Sequence, residues 1–584
     1  MPDIHLPLIT NGGAPPAQRI VIDPLTRIEG HLRIEAVLQG GVITDAWSSS
    51  TMFRGIETIL AGRDPREAWV FAQRICGVCT TVHALASVRA VENALGITIP
   101  ENARIIRNLI AAVQFIQDHV VHFYHLHALD WVDVTRALQA DPTATSNLAH
   151  SLSTWPNSSP QYFSGVKTRL QALVDSGQLG LFANGYWGHP GYKLTPEANL
   201  MAVSHYLEAL DFQREAVKIH AILGGKNPHP QTYLVGGVAI PVDRSSSKAI
   251  NPGRIAELRL LATQALNFVS QVYLPDLKAI ASFYKEYAVL GGGPGNYLSY
   301  GEFPTGGTPS PYMPAGIVLD NNLATLPQPI IAAQITEYVT HSWYTYTGGD
   351  GVGLHPSQGE TAPSYTGPTP PYELLDTDSK YSWLKSPRYN SLPMEVGPLA
   401  RVMVAYAAGH PRIHQLVDQT LASLGLSTQA LFSTWWRMLA RGIETLALAE
   451  QMSPWIDDLE AHMNADDTLI HNGSRWDPAT WPAQASGWGS TEAPRGGLGH
   501  WISIANGRIQ HYQAVVPTTW NGSPRDAQGR RGPFEQALIG TTVVNPQQPL
   551  EILRTIHSFD PCMACAVHLV DAHGQSEGIT VNVG

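Results

Sequence analysis

The four cysteines of this 584-residue chain form two C-x-x-C pairs, Cys76/Cys79 and Cys562/Cys565, at opposite ends of the sequence. No fifth cysteine is present. The fold must either use the pairs separately or bring its two ends together. Three chemistries compete. A disulfide framework fits poorly, because such frameworks staple small chains and a C-x-x-C bridge closes only a tight loop. A thioredoxin-like redox motif explains one pair but not two, and no βαβ pattern surrounds either. A four-thiolate metal site explains both pairs at once. Three-residue spacing lets two sulfurs converge on one ion, and soft thiolates select zinc, nickel, copper or iron. Structural zinc is the plainest version, yet zinc ribbons space their pairs about 15–20 residues apart. A metal held from both ends of a long chain sits where the whole fold closes.

Composition narrows the class. Charged residues make up 15% of the chain and hydrophobic ones 44%, which excludes disorder and allows a large core. So low a charge fraction suggests that a partner covers part of the surface. The net charge of −11 argues against nucleic-acid binding. No apolar run reaches the roughly 18 residues a membrane span needs. The first residues, MPDIHLPLITNGGAPPAQR, lack the charged and apolar regions of a secretory signal, so any export must be directed by another element.

Periodicity predicts a mainly α protein with small β regions (α+β) around a central helix bundle. Residues 19–60 read as strands and hairpins, with Glu29 inside a strand-like stretch from Arg19 to Val37. A helical stretch begins at Cys76, and Val82, Leu85, Val88 and Val91 share one face. Further helices are expected over 101–131, 195–223, 253–286, 394–409 and 427–463. Asn506-Gly507 signals a hairpin. Segments 291–316, 345–380 and 473–497, rich in Gly, Pro, Ser and Thr, read as long ordered loops, the last carrying Arg495. Gly349-Asp350-Gly351-Val352-Gly353 lacks the strand and helix of a phosphate loop and reads as a loop.

The cysteine flanks are specific. The first reads Arg74-Ile75-Cys76-Gly77-Val78-Cys79, and the second reads Asp560-Pro561-Cys562-Met563-Ala564-Cys565-Ala566-Val567-His568. These resemble the R-x-C-G-x-C and D-P-C-x-x-C-x-x-H signatures of the large subunit of [NiFe]-hydrogenases. Arg27-Ile28-Glu29-Gly30-His31, Phe53-Arg54-Gly55-Ile56-Glu57, Asp118-His119, Ala493-Pro494-Arg495-Gly496 and Val516-Pro517-Thr518-Thr519-Trp520 extend the likeness from about residue 19 to the end. It is nearest to the respiratory, membrane-bound uptake type.

The resemblance implies that Cys76, Cys79, Cys562 and Cys565 bind nickel. Cys79 and Cys565 would also bridge to an iron carrying one carbonyl and two cyanides. Glu29 would relay protons from a thiolate, which requires burial to raise its pKa toward neutrality. Arg495, beside Pro494, would hang over the open metal face, bond a cyanide and serve as a candidate base, although a guanidinium is a poor one. Asp118 and Asp560 would hold that arginine, and Thr518 would bond the other cyanide. His83 would donate to a bridging sulfur. His229 would face the nearest iron–sulfur cluster of a partner. Glu57, the Ala514 carbonyl and His568 would hold a Mg2+ ion.

The resemblance also implies three regions: a flexible segment 1–18, one catalytic unit 19–568, and an extension 569–584 that an endopeptidase removes after nickel insertion by dedicated proteins. Nickel takes every cysteine, so iron–sulfur clusters must belong to another polypeptide. In the family that is a small subunit whose twin-arginine signal would carry both chains to the periplasmic face of the cell membrane, where a cytochrome b accepts electrons. The implied reaction is heterolytic cleavage of H2, with a non-catalytic hydrogen sensor as the alternative. The homologous quinone-reducing subunit of NADH dehydrogenase lacks these cysteines and is excluded.

Overall fold

Helix ends follow local sequence rules throughout the computed structural model, which describes residues 17–563 apart from 54, 179–181, 183–184, 308–309 and 369–372. Helix α1 (Val82–Leu95) stops at Gly96, which turns left-handed at φ 64°, a conformation glycine adopts without steric cost. Helix α2 (Glu101–Val121) follows Pro100. Helix α3 (Pro196–Gly224) starts where the Thr195 side chain accepts from the Ala198 N–H. Helix α4 (Pro252–Phe268) starts on Asn251 in the same manner. Helix α5 (Pro398–Ala407) follows Gly397, and α6 (Thr434–Asn464) is capped by Ser433. Thr195, Asn251 and Ser433 each satisfy an amide that has no partner within its helix.

The central helix is α6, which packs against α2, α4 and α5. It is buried all round over its first half and on one face beyond, with Trp435, Trp436, Leu439, Ile443, Met452 and Leu459 in the core. Fully burying each such side chain contributes about 1.5–3 kcal/mol. Two antiparallel sheets flank the bundle. The first is β1 (Gln18–Ile22), β2 (Leu32–Gln39) and β3 (Val42–Ser50). The second is β4 (Gln484–Ala493), β5 (Gly496–Ala505) and β6 (Arg508–Val515). Strand β4 lies directly on the backbone of α1. A Cβ on Gly489 would sit 2.1 Å from the Ala86 carbonyl oxygen, and one on Gly487 would sit 2.2 Å from that of Ala90.

The mainly helical α+β expectation holds, with local corrections. The Arg19–Val37 stretch is not one strand: β1 and β2 are separate, and Glu29 occupies their connection. The 473–497 segment is not loop throughout, since its second half is β4. Alternating packing on α1 overrides its glycine and serine content. The 101–131 helix changes to a π-helix over His122–His127. The 253–286 helix passes through a π-turn at Val269–Tyr273. Pro275 lies just beyond and cannot donate back into the helix. Helices Pro142–Leu152, Pro160–Asp175 and Pro411–Leu424 were not expected. The extension 569–584, Cys565 and His568 lie outside the described residues, as does all but the end of 1–18.

Candidate metal centre

Three of the four cysteines lie among the described residues, and the fold gathers them. The sulfurs of Cys76, Cys79 and Cys562 lie within 4.8 Å of one another, all buried. The Cys76–Cys562 separation is 3.4 Å, far beyond a disulfide bond of about 2.05 Å. Metal–thiolate bonds of about 2.3 Å put two sulfurs of a tetrahedral site about 3.8 Å apart. The observed spacing brackets that value, so this donor set fits one soft metal ion.

Each sulfur is placed by its local chain. Cys76 Sγ accepts from the Cys79 N–H at 3.2 Å and the Val78 N–H at 3.3 Å, contacts that favour the thiolate. Cys79 lies just before α1, where the helix N-terminus favours negative charge. The Cys562 N–H donates to Thr518 Oγ1 at 3.0 Å. The Thr518 hydroxyl keeps its own proton to donate. His229 bridges the motif from outside, with Nε2 2.9 Å from the Cys76 carbonyl oxygen and Nδ1 2.6 Å from Arg74 Nη1.

The ends of the chain meet at Glu29. Its carbonyl accepts from the Met563 N–H at 2.7 Å, and its Oε2 lies 3.3 Å from Cys562 Sγ. Glu29 is half-buried in this chain. Arg495 occupies the two-residue turn between β4 and β5, which the Ala493–Gly496 pair closes. Its guanidinium lies 3.4 Å from Asp118 and 3.1 Å from Asp560. Burial pushes the Asp118 carboxyl up to about 8, against the pull of Arg495. Burial also raises Asp560. The carboxylates and thiolates around Arg495 outweigh its burial and hold it well above its ordinary range. A small cavity opens between Cys79, Cys562, Arg495, Val516 and Thr518.

His83 is buried and pairs through Nδ1 with His500 Nε2 at 3.1 Å. His500 Nδ1 in turn lies 2.6 Å from the Tyr512 hydroxyl. The Pro494 carbonyl accepts from Arg401 at 2.8 Å. Glu57 is half-buried and Ala514 buried. Near them is Glu337, which sequence reasoning missed. Its carboxylate accepts from Gln513 at 3.2 Å. Burial raises it to about 7; Lys385 opposes this and Glu57 adds to it. Two acids close enough to act on each other suit a hard cation. No spacing in the sequence marks Glu337, which lies on the short strand Ile335–Tyr338.

The family described as nickel-dependent hydrogenase matches residues 54–568, and a second description, HoxL-like, matches residues 19–46. The uptake hydrogenase large subunit of Bradyrhizobium diazoefficiens is 53% identical over 576 residues, covering 96% of each chain. The hydrogenase-1 large chain of Escherichia coli is 49% identical over 592 residues, covering 98% of each. Among solved structures, a [NiFeSe] hydrogenase variant from Desulfovibrio vulgaris Hildenborough superimposes with a TM-score of 0.76 at 34% identity, covering 95% of this chain and 100% of that one. With its sulfurs gathered and its length matched almost end to end, the chain belongs to the nickel-dependent hydrogenase family, as a catalytic large subunit of the uptake type.

Proposed function

We propose that this chain oxidises dihydrogen, splitting it heterolytically beside Cys562 and passing the proton to Glu29. The observation that carries the reading is the convergence of three buried sulfurs with Glu29, in contact with Cys562, and Arg495, which lines one small cavity with Cys79 and Cys562. Cys76, Cys79, Cys562 and Cys565 would hold a nickel–iron centre, which would supply the redox-active Lewis acidity needed to polarise dihydrogen and accept its electrons. The surrounding Ile75, Val82, Leu498 and Val516 exclude water and give a small apolar substrate an accessible medium. The proton is taken at Cys562 Sγ, from which Glu29 Oε2 is one contact away. Arg495 serves as a fixed donor. Asp118 and Asp560 hold its guanidinium in place, and the negative groups around it keep it protonated, which makes it a poor acceptor. Its N–H groups and the Thr518 hydroxyl suit the two cyanides as hydrogen-bond acceptors.

We assign Glu57 and the Ala514 carbonyl to a Mg2+ ion, with Glu337 beside it. His568 would complete the site. Electrons leave through an iron–sulfur small subunit, because this chain spends every cysteine on the metal. The motif resemblance to the respiratory uptake type leads us to place the chain at the periplasmic face of the membrane beside a cytochrome b. No helix among the described residues is long and apolar enough to cross a membrane. Export on the small subunit's twin-arginine signal, nickel insertion and removal of the residues after His568 complete this reading. The test is direct: the purified heterodimer should contain nickel and show infrared bands of one carbonyl and two cyanides. Zinc without such bands would overturn it.

A further inference from the structure

Arg401 is fully buried on α5, and all five of its donor contacts are made within the fold. Nε and Nη2 meet the two oxygens of Glu444 on α6, the latter at 2.8 Å. Nη1 donates to Glu492 at 2.7 Å and to the Ala493 carbonyl at 2.8 Å. Nη2 also donates to the Pro494 carbonyl at 2.8 Å. Those two carbonyls immediately precede Arg495. Glu444 has a second partner, His119 Nε2 at 3.0 Å, and His119 follows Asp118 in the chain.

The contacts close a ring. From Arg495 it runs to Asp118, along the backbone to His119, across to Glu444, on to Arg401, and back through Pro494 to Arg495. The N-terminus of α5 is pressed onto the same turn. A Cβ on Gly397 would come 3.0 Å from the Arg495 carbonyl oxygen, and one on Gly496 would come 2.7 Å from the Gly397 amide nitrogen. A guanidinium presents donors in a rigid planar fork, whereas an ammonium is a point charge with three rotatable donors. Only the former can span two adjacent carbonyls and two carboxylates at once.

We propose that Arg401 is a positioning residue that fixes Arg495 and Asp118 relative to each other over the thiolate site. The inference rests on the role given to Arg495 above, and on nothing else about the reaction. Arg401 touches neither substrate nor sulfur. It sets the place of a group that does, and misplacing a supporting contact of a metal site by mutation typically lowers activity about 10–100-fold.

The test uses the assembled heterodimer carrying Arg401→Lys, Glu444→Gln or Arg495→Lys, with turnover and infrared spectra expressed per bound nickel. Partial assembly then does not obscure the result. Arg401→Lys is expected to lose about 10–100-fold in turnover, to shift the cyanide bands, and to speed amide hydrogen exchange in the 493–497 turn. Glu444→Gln, which weakens one arm of the fork, should move all three readouts the same way by less. Wild-type turnover and band positions in whichever of these two variants binds nickel would overturn the proposal. If Arg495→Lys itself matched wild type, the role of Arg495 would fall instead. An impaired Arg495→Lys beside a wild-type Arg401→Lys would remove only the present inference.

Discussion

Glu29 and Cys562 are joined twice, once through the backbone and once through side chains. The Glu29 carbonyl accepts from the Met563 N–H at 2.7 Å, while its carboxylate lies 3.3 Å from Cys562 Sγ. The first contact fixes the second, because a residue held in a bridge has little freedom to withdraw its side chain. A carboxyl held at hydrogen-bond reach of a sulfur is placed to receive its proton.

Replacing Glu29 by Gln preserves size and removes the titratable group. Hydrogen/deuterium exchange and H2 oxidation should fall by about 100-fold or more, while nickel content and infrared bands stay as in wild type. Exchange at the normal rate in a fully loaded Glu29→Gln enzyme would show that the proton leaves by another route.

Cys562→Ser exchanges a soft thiolate for a hard hydroxyl at a three-sulfur cluster. Nickel bound per heterodimer, measured by mass spectrometry of the metal, should drop close to zero, and activity should vanish with it. Full nickel occupancy in this variant would remove Cys562 from the ligand set.

Gly489 and Gly487 let β4 rest on the backbone of α1, which follows Cys79 and carries His83. Gly489→Ala places a methyl group 2.1 Å from the Ala86 carbonyl oxygen, so helix or strand must move. The expected loss is about 1–3 kcal/mol of stability, visible as a lower Tm, together with poorer nickel loading. An unchanged Tm would mean that the two elements have slack between them.

Glu535 is fully buried and accepts from the Ser48 N–H at 3.1 Å and the Tyr381 hydroxyl at 2.9 Å. Burial, opposed by Arg525, pushes its carboxyl from an ordinary 4.5 up to about 7. Between those values the folded protein keeps a proton that the unfolded chain has lost. Raising the pH through that window therefore removes stability, on the order of 3 kcal/mol in all. Glu535→Gln cannot ionise, so its Tm should fall less than that of wild type between pH 5 and 7. Parallel Tm curves for the two proteins would contradict this.

Local signals account for what was legible and for part of what was missed. Asp141-Pro142, Ser159-Pro160 and His410-Pro411 are each a cap residue followed by proline at the first helical position. That pattern marks a helix start, and Ile413, Leu416, Val417, Leu421 and Leu424 add a buried apolar stripe to the last of them, so these helices were legible from local signals. The strand β4 gave the opposite error. Its Gly487 and Gly489 suggest a loop when read alone, and become necessary only once α1 lies against them.

The sequence alone marked the two thiolate pairs and the soft-metal chemistry they suit, because C-x-x-C pairs and their flanking residues carry that information within a few positions. It also determined the mainly helical class, through apolar periodicity over long segments. The pairing of Arg495 with Asp118 and Asp560 was already implied by the flanking motifs; the tertiary structure decided the other distant contacts, Arg401 with Glu444 and Glu492 and Glu337 with the surroundings of Glu57. Those pairings join residues from separate helices, strands and loops. Burial in a common low-dielectric interior is what gives them their strength, and no local pattern along the chain encodes it.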